Sequence, residues 1–210
     1  GFELLINPCD SQKENITEDI IDTIKHARVA GLVLTPPFSE HPEFVKQILA
    51  QDIKVVRIMS GDVAPDELSP CVMVNDRDAA QTITQHLIDL GHTKIGFIAG
   101  GAAHMSTIER YKGYRRALKA NNIAFNHNLI IEGEYSFESG VNGAKKLIAE
   151  EVTTENRPTA IFSCNDEIAA GALFAARLMN INIPEQLSIA GFENSPFSRQ
   201  TWPKLTTANQ

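Results

Sequence analysis

Apolar residues along this chain alternate between two patterns. Short, nearly continuous runs occur at Leu4–Ile6, Leu32–Leu34, Val55–Ile58, Cys71–Val74, Lys94–Ile98, Leu129–Ile131, Thr159–Phe162 and Leu187–Ala190. Each is too short for a helix and stops at a turn-forming or polar residue, as buried strands do. Between them the apolar residues recur three or four apart. Ile16, Ile20, Ile21, Ile24 and Ala27 make one such face, with Asn15 and Glu18 in capping-box spacing and Gly31 as the stop. Phe44, Val45, Ile48 and Leu49 make the next, and Ala79, Ile83, Leu87 and Leu90 a third, closed by Gly91. Further helices are predicted over about Ser106 to Asn121, after a Ser136 cap, and after Asp166. Strands alternating with helices predict βαβ units and parallel sheets. The pattern restarts after Gly91-His92-Thr93, so two doubly wound lobes are expected, with their boundary there.

The strand ends carry the chemistry. They read Asn75 to Asp78, Gly100-Gly101, Glu134 to Ser136, Asn165-Asp166 and Glu193-Asn194. In open parallel sheets ligands bind outside the carboxyl ends of the strands. Two lobes facing each other across that edge would form a cleft of hydroxyls, amides and carboxylates, suited to a small polyhydroxylated ligand.

Composition narrows the class. With 43% hydrophobic and 21% charged residues, the 210-residue chain can bury a sizeable core. Its net charge of −7 argues against a nucleic-acid surface. The one basic cluster, Arg110, Lys112, Arg115, Arg116 and Lys119, has helical spacing and reads as a solvated face. Three scattered cysteines without a CxxC fit a reducing cytoplasm, with Cys71 and Cys164 as buried, inert thiols. No run is long enough to span a membrane. No signal peptide is visible, and the chain opens on Gly1 without an initiator Met, as a fragment would.

Motifs for catalysis are missing. There is no GxGxxG, no GxxxxGK[ST] and no GxSxG. His86 and His92 are six apart, off a common helical face, and His92 reads as part of the helix cap. No catalytic residue, cofactor or metal is expected, and the chain is not read as an enzyme. Arg110, early in its helix, presents a planar donor fork or is an ordinary surface arginine. Tyr135, after a strand, stacks on a ligand or packs in the core.

Several segments together resemble the LacI/GalR family of transcription regulators. They are His86-Leu-Ile-Asp-Leu-Gly91-His92-Thr-Lys-Ile-Gly-Phe-Ile-Ala-Gly100, Arg110-Tyr-Lys-Gly113-Tyr114-Arg-Arg-Ala117-Leu118, and Pro158 to Leu173. Leu187-Ser-Ile-Ala-Gly191-Phe192-Glu193-Asn194 and Leu205-Thr206-Thr207 complete the set, in matching order and spacing. The resemblance implies a periplasmic-binding-protein-like α/β fold of type I, with two Rossmann-like lobes, parallel sheets and truncation at both ends. It implies a first lobe over 1–92, a second over 93–201, and a strand over 202–210 crossing back to the first. It carries ligand roles to Asp78, Ser106, Arg110, Tyr135, Asn165 and Glu193, while Asp166 is expected to cap its helix.

The implied function is effector binding and dimerisation in a cytoplasmic, ligand-responsive regulator. The effector would be a sugar or related metabolite, and operator DNA would be read by a headpiece absent from this chain. The alternative is a free-standing solute-binding protein of a sugar transporter. Two departures stand out: the family more often has Asp at the positions of Glu193 and Asn194, and the usual Val after Leu-Thr-Thr is Ala208.

Overall fold

A computed structural model describes residues 3–10, 13–149, 152–153 and 156–209. The chain divides into two compact units between Met73 and Val74.

The first unit runs α1 (Ile16–Ala27), β1 (Gly31–Leu34), α2 (Pro42–Leu49), β2 (Lys54–Ser60) and β3 (Cys71–Val74). Its sheet has the order β1-β2-β3, with β1 and β2 parallel and Leu32 opposite Val55. Helical spacing puts Ile20 and Ile24 of α1, and Phe44, Val45 and Ile48 of α2, into one core with Leu34 and Val55. Pro42 opens α2, where its missing N–H costs nothing. Asn15 precedes α1 as expected, but its side chain makes no cap bond. The helix ends at Arg28, left-handed at φ 51°, and Gly31 instead starts β1. No strand forms over Leu4–Ile6, which are exposed. Arg57, fully buried on β2, pins the following loop through Ser69 Oγ at 3.0 Å and both oxygens of Asp66.

The second unit contains α3 (Asp76–Asp89), β4 (Ile95–Ile98), α4 (Met105–Ala120), β5 (Ile130–Ile131) and α5 (Phe137–Ile148). It continues through β6 (Ala160–Ser163), α6 (Asp166–Leu178), β7 (Ser188–Ala190) and α7 (Pro196–Gln200). Its sheet is parallel throughout, in the order β5-β4-β6-β7. Every residue of β4 and β6 is buried. That is the signature of central strands covered on both faces, and it explains why they read as continuous apolar runs.

The boundary therefore differs from the one expected at residue 92. The sequence signal at Gly91-His92 marks the end of a helix, not the end of a unit. Helix α3 packs on α4 so closely that a side-chain carbon on Gly113 would overlap the backbone carbonyl of Arg77. The segment expected to cross back from residue 202 also stays on the second unit, bridging through Thr206 to Ala190 and through Asn209 to Glu193. Glycines Gly140 and Gly171 bring α5 and α6 together in the same way, each facing the other helix's carbonyls at Ile168 and Phe137.

Gly91, at φ 94°, ends α3, and the His92 amide donates back to Leu87. The His92 ring does more than close a cap. Nδ1 lies 2.9 Å from Thr159 Oγ1 and Nε2 3.0 Å from Ser188 Oγ, tying together the amino-terminal ends of β6 and β7. Burial holds its pKa below the usual histidine value.

Candidate functional site

The carboxyl ends of β4, β6 and β7 open onto the first turns of α3, α4 and α6. Arg110, near the start of α4, is the hub. It is only 3% exposed. Its Nε donates to Asp76 Oδ1 at 2.7 Å, and Nη1 donates to the Cys164 carbonyl at 2.7 Å. The same Nη1 lies 3.4 Å from Glu193 Oε1, and the guanidinium stacks 3.9 Å over the Phe192 ring. Burial is the largest influence and works against its charge, but Asp76, Cys164 and Tyr135 together oppose it, and the pKa lies above the ordinary arginine value. One side chain thus ties together α3, α4, the end of β6 and the loop after β7.

A hydroxyl cluster lies beside it. Tyr135 Oη and Ser106 Oγ share a hydrogen bond of 2.9 Å, and Thr107 Oγ1 donates to the same oxygen at 2.9 Å. Cys164 Sγ is 3.5 Å from Tyr135 Oη. The tyrosine ring lies over Gly100, leaving no room for a side chain there, and His104 meets it edge-on at 5.1 Å. Burial pushes the phenol well above its ordinary pKa. Tyr135 is half-buried, with its hydroxyl engaged by Ser106 and Thr107.

At the start of α6 the cap expected of Asp166 falls to its neighbour Asn165. Asn165 is the N-cap, its Oδ1 accepting from Ile168 N at 2.9 Å. Its amide nitrogen has no protein partner among the described residues. Asp166 is fully buried and does not cap. It accepts from Ser195 N at 2.7 Å and from Thr207 Oγ1 at 2.6 Å, clamping the loop after β7 and the segment beyond it to α6.

Glu193 and Asn194 follow at φ 104° and 53°, two successive non-glycine residues in the left-handed region. The Glu193 amide donates to Ala208 O and the Asn194 amide to Thr207 Oγ1. The Glu193 side chain is 34% exposed. Burial raises its pKa, and Arg110 opposes that rise.

Of the six residues predicted for the site, Ser106, Arg110, Tyr135, Asn165 and Glu193 gather at this edge. Asp78 does not. It is exposed, bonded to Asn75 Nδ2 at 2.9 Å and paired with Arg116 at 3.1 Å. Asp76, two residues earlier, points inward to Arg110 instead. Asp76, Thr107 and Phe192 went unpredicted, because no spacing rule marks which first-turn acid faces the core. Of the basic cluster, Arg110 alone is buried, while Lys112, Arg115, Arg116 and Lys119 are exposed as expected. Cys164 is buried as expected and Cys71 only half-buried. No cluster of metal-ligating side chains occurs among the described residues, and none of their helices is long and apolar enough to cross a membrane.

Residues 84–210 match the periplasmic binding protein-like domain. Over its whole length the chain is 31% identical to the HTH-type transcriptional regulator DegA of Bacillus subtilis (strain 168), of which it covers 60%. It is 30% identical to the ribose operon repressor of Haemophilus influenzae, again over 100% of this chain and 60% of the repressor. Among solved structures, a regulatory protein of the LacI family from Chloroflexus aggregans superposes with a TM-score of 0.81 at 28% identity, covering 96% of this chain and 70% of that one. The chain thus spans about three fifths of the length of the regulators it matches.

Proposed function

The chain belongs to the LacI/GalR family of transcription regulators, and from that premise we propose that it is the effector-binding part of a ligand-responsive regulator acting in the cytoplasm. The observation that carries this reading is the Arg110 hub, which joins the strand-end loops through Asp76, Cys164 and Glu193. The half-buried Ser106 hydroxyl, the free amide nitrogen of Asn165 and the Glu193 carboxylate lie at the same edge. Donors and acceptors of that kind suit the hydroxyls of a sugar or related metabolite. Arg110, through Nε and Nη1, and Tyr135, through its hydroxyl, hold these groups in place. A relative named as a ribose operon repressor is in keeping with a sugar effector.

Regulation follows from differential affinity. An effector shifts the regulator between conformations only by as much as it binds one better than the other. Operator DNA is read by parts of the protein outside these residues, consistent with the net charge of −7. A homodimer is supported by a group of exposed apolar side chains on the second unit, including Phe137, Phe174, Leu178 and Trp202. Neighbouring Phe137 and Phe174 rings are 5.7 Å apart. Such groups mark association surfaces.

A thermal-shift panel of pentoses, hexoses and disaccharides on the intact protein tests the ligand class. A true effector at a hundred times its Kd should add about 2.7 kcal/mol of stability. A panel in which no sugar raises the melting temperature removes the sugar reading.

A further inference from the structure

The ionised groups at the binding edge are unevenly matched. Arg110 is a buried cation of this edge, and Asp76 at 2.7 Å offsets its charge in a pair only 3% and 2% exposed. Asp166 is fully buried, with its two oxygens taken by Ser195 and Thr207. Glu134 lies beside Gly101, and the His104 ring sits against Tyr135 at the same edge. Among the described residues, Glu134 and Glu193 are the carboxylates of this edge that reach solvent, and of the two Glu193 is the one in contact with the hub, 3.4 Å from Arg110.

Its backbone makes the position more telling. At φ 104° a glycine would sit without strain, yet the chain carries a glutamate there and a second left-handed residue, Asn194, after it. Strain of this kind persists where the side chain has a task. The side chain reaches the guanidinium at 3.4 Å while about a third of it stays exposed.

We propose that Glu193 selects the effector by charge, so that this edge accepts an uncharged or amine-bearing polyol and rejects one carrying a carboxylate or phosphate. An ionised carboxylate only accepts hydrogen bonds, so hydroxyl and ammonium donors satisfy it. An anionic substituent placed against it meets like charge, and the buried Arg110 beside it is already paired with Asp76. The inference rests on the sugar-effector reading above.

The test uses the intact protein at neutral pH and matched sets of sugars. Glucose, glucuronate and glucosamine form one set, galactose, galacturonate and galactosamine a second, and ribose with ribose 5-phosphate a third. Thermal shift finds the binding set, and titration calorimetry ranks its members. The neutral or amino member should bind best, with the anionic member weaker by roughly tenfold or more. Glu193→Gln should narrow that ratio. Glu193→Gly should lose effector affinity while its unliganded melting temperature holds or rises, since the strain is relieved. An anionic member binding as tightly as its neutral partner overturns the inference and leaves the sugar reading standing. So does a ratio unchanged in Glu193→Gln, or a Glu193→Gly protein that melts lower without ligand. No response to any member of any set overturns the sugar reading and this inference with it.

Discussion

Replacing Arg110 with Ala should destabilise the second unit by about 3–5 kcal/mol, the cost of stranding one partner of a buried ion pair. Asp76, 2% exposed, would lose its guanidinium partner, and the Cys164 carbonyl would lose its donor. Phe192 would lose the planar group stacked on it. For a chain of this size, each kcal/mol moves the melting temperature by about 2–4 °C. Differential scanning calorimetry should resolve the drop, in the transition that belongs to residues 74–209. The double variant Arg110→Met, Asp76→Asn should recover part of the loss, because the unmatched charge leaves with its partner. Arg110→Lys keeps the charge but cannot bond Asp76 and Cys164 at once with a planar fork, and should fall between. A melting curve for Arg110→Ala equal to that of the unaltered protein would mean that Arg110 does not organise this edge.

Asp166→Ala should produce the second large effect. The carboxylate is fully buried and accepts two hydrogen bonds, from the Ser195 amide and the Thr207 hydroxyl. Hydrogen bonds to a charged group contribute about 1.5–3 kcal/mol each. Their loss frees the loop after β7 and the segment around Thr207, so hydrogen exchange should accelerate at Glu193 and Asn194, whose amides bond to Ala208 and Thr207. Asn165→Ala should cost less, about 0.5–2 kcal/mol, as the loss of an N-cap. It should also weaken effector binding, because its amide nitrogen is the part left for a ligand. Equal melting temperatures for the two variants would contradict this division of roles.

Much of this architecture was legible in the sequence. The alternation of short apolar runs with helical spacing gives the parallel α/β units, and the polar strand ends give the edge where five of the six expected residues meet. The failures share a cause: spacing along the chain does not determine facing in space. Asp76 and Asp78 both lie in the first turn of α3, but two residues turn a helix by about 200°, so one meets Arg110 and the other meets solvent. Asn165 and Asp166 differ by a single step at a helix start, where boundaries shift most easily. The strand-helix pattern restarts after Gly91-His92-Thr93, but that restart follows the end of α3 and lies inside the second unit. The contact between Gly113 and Arg77 that places α3 with the second unit is long-range and leaves no local mark. The strand expected at Leu4–Ile6 rested on three apolar residues, which the structure leaves exposed.

The central claim is that a small effector bound at this edge controls DNA binding elsewhere in the protein. A two-fold regulator reads two half-sites, so the intact protein should select a pseudo-palindromic operator from random duplex DNA. Titrating that operator at fixed salt, with and without the sugar that best stabilises the protein, is the direct measurement. The account predicts an affinity change of about 5–150-fold, and a reciprocal change of the same factor in effector affinity when operator is bound. Identical operator affinity in the two states would contradict it.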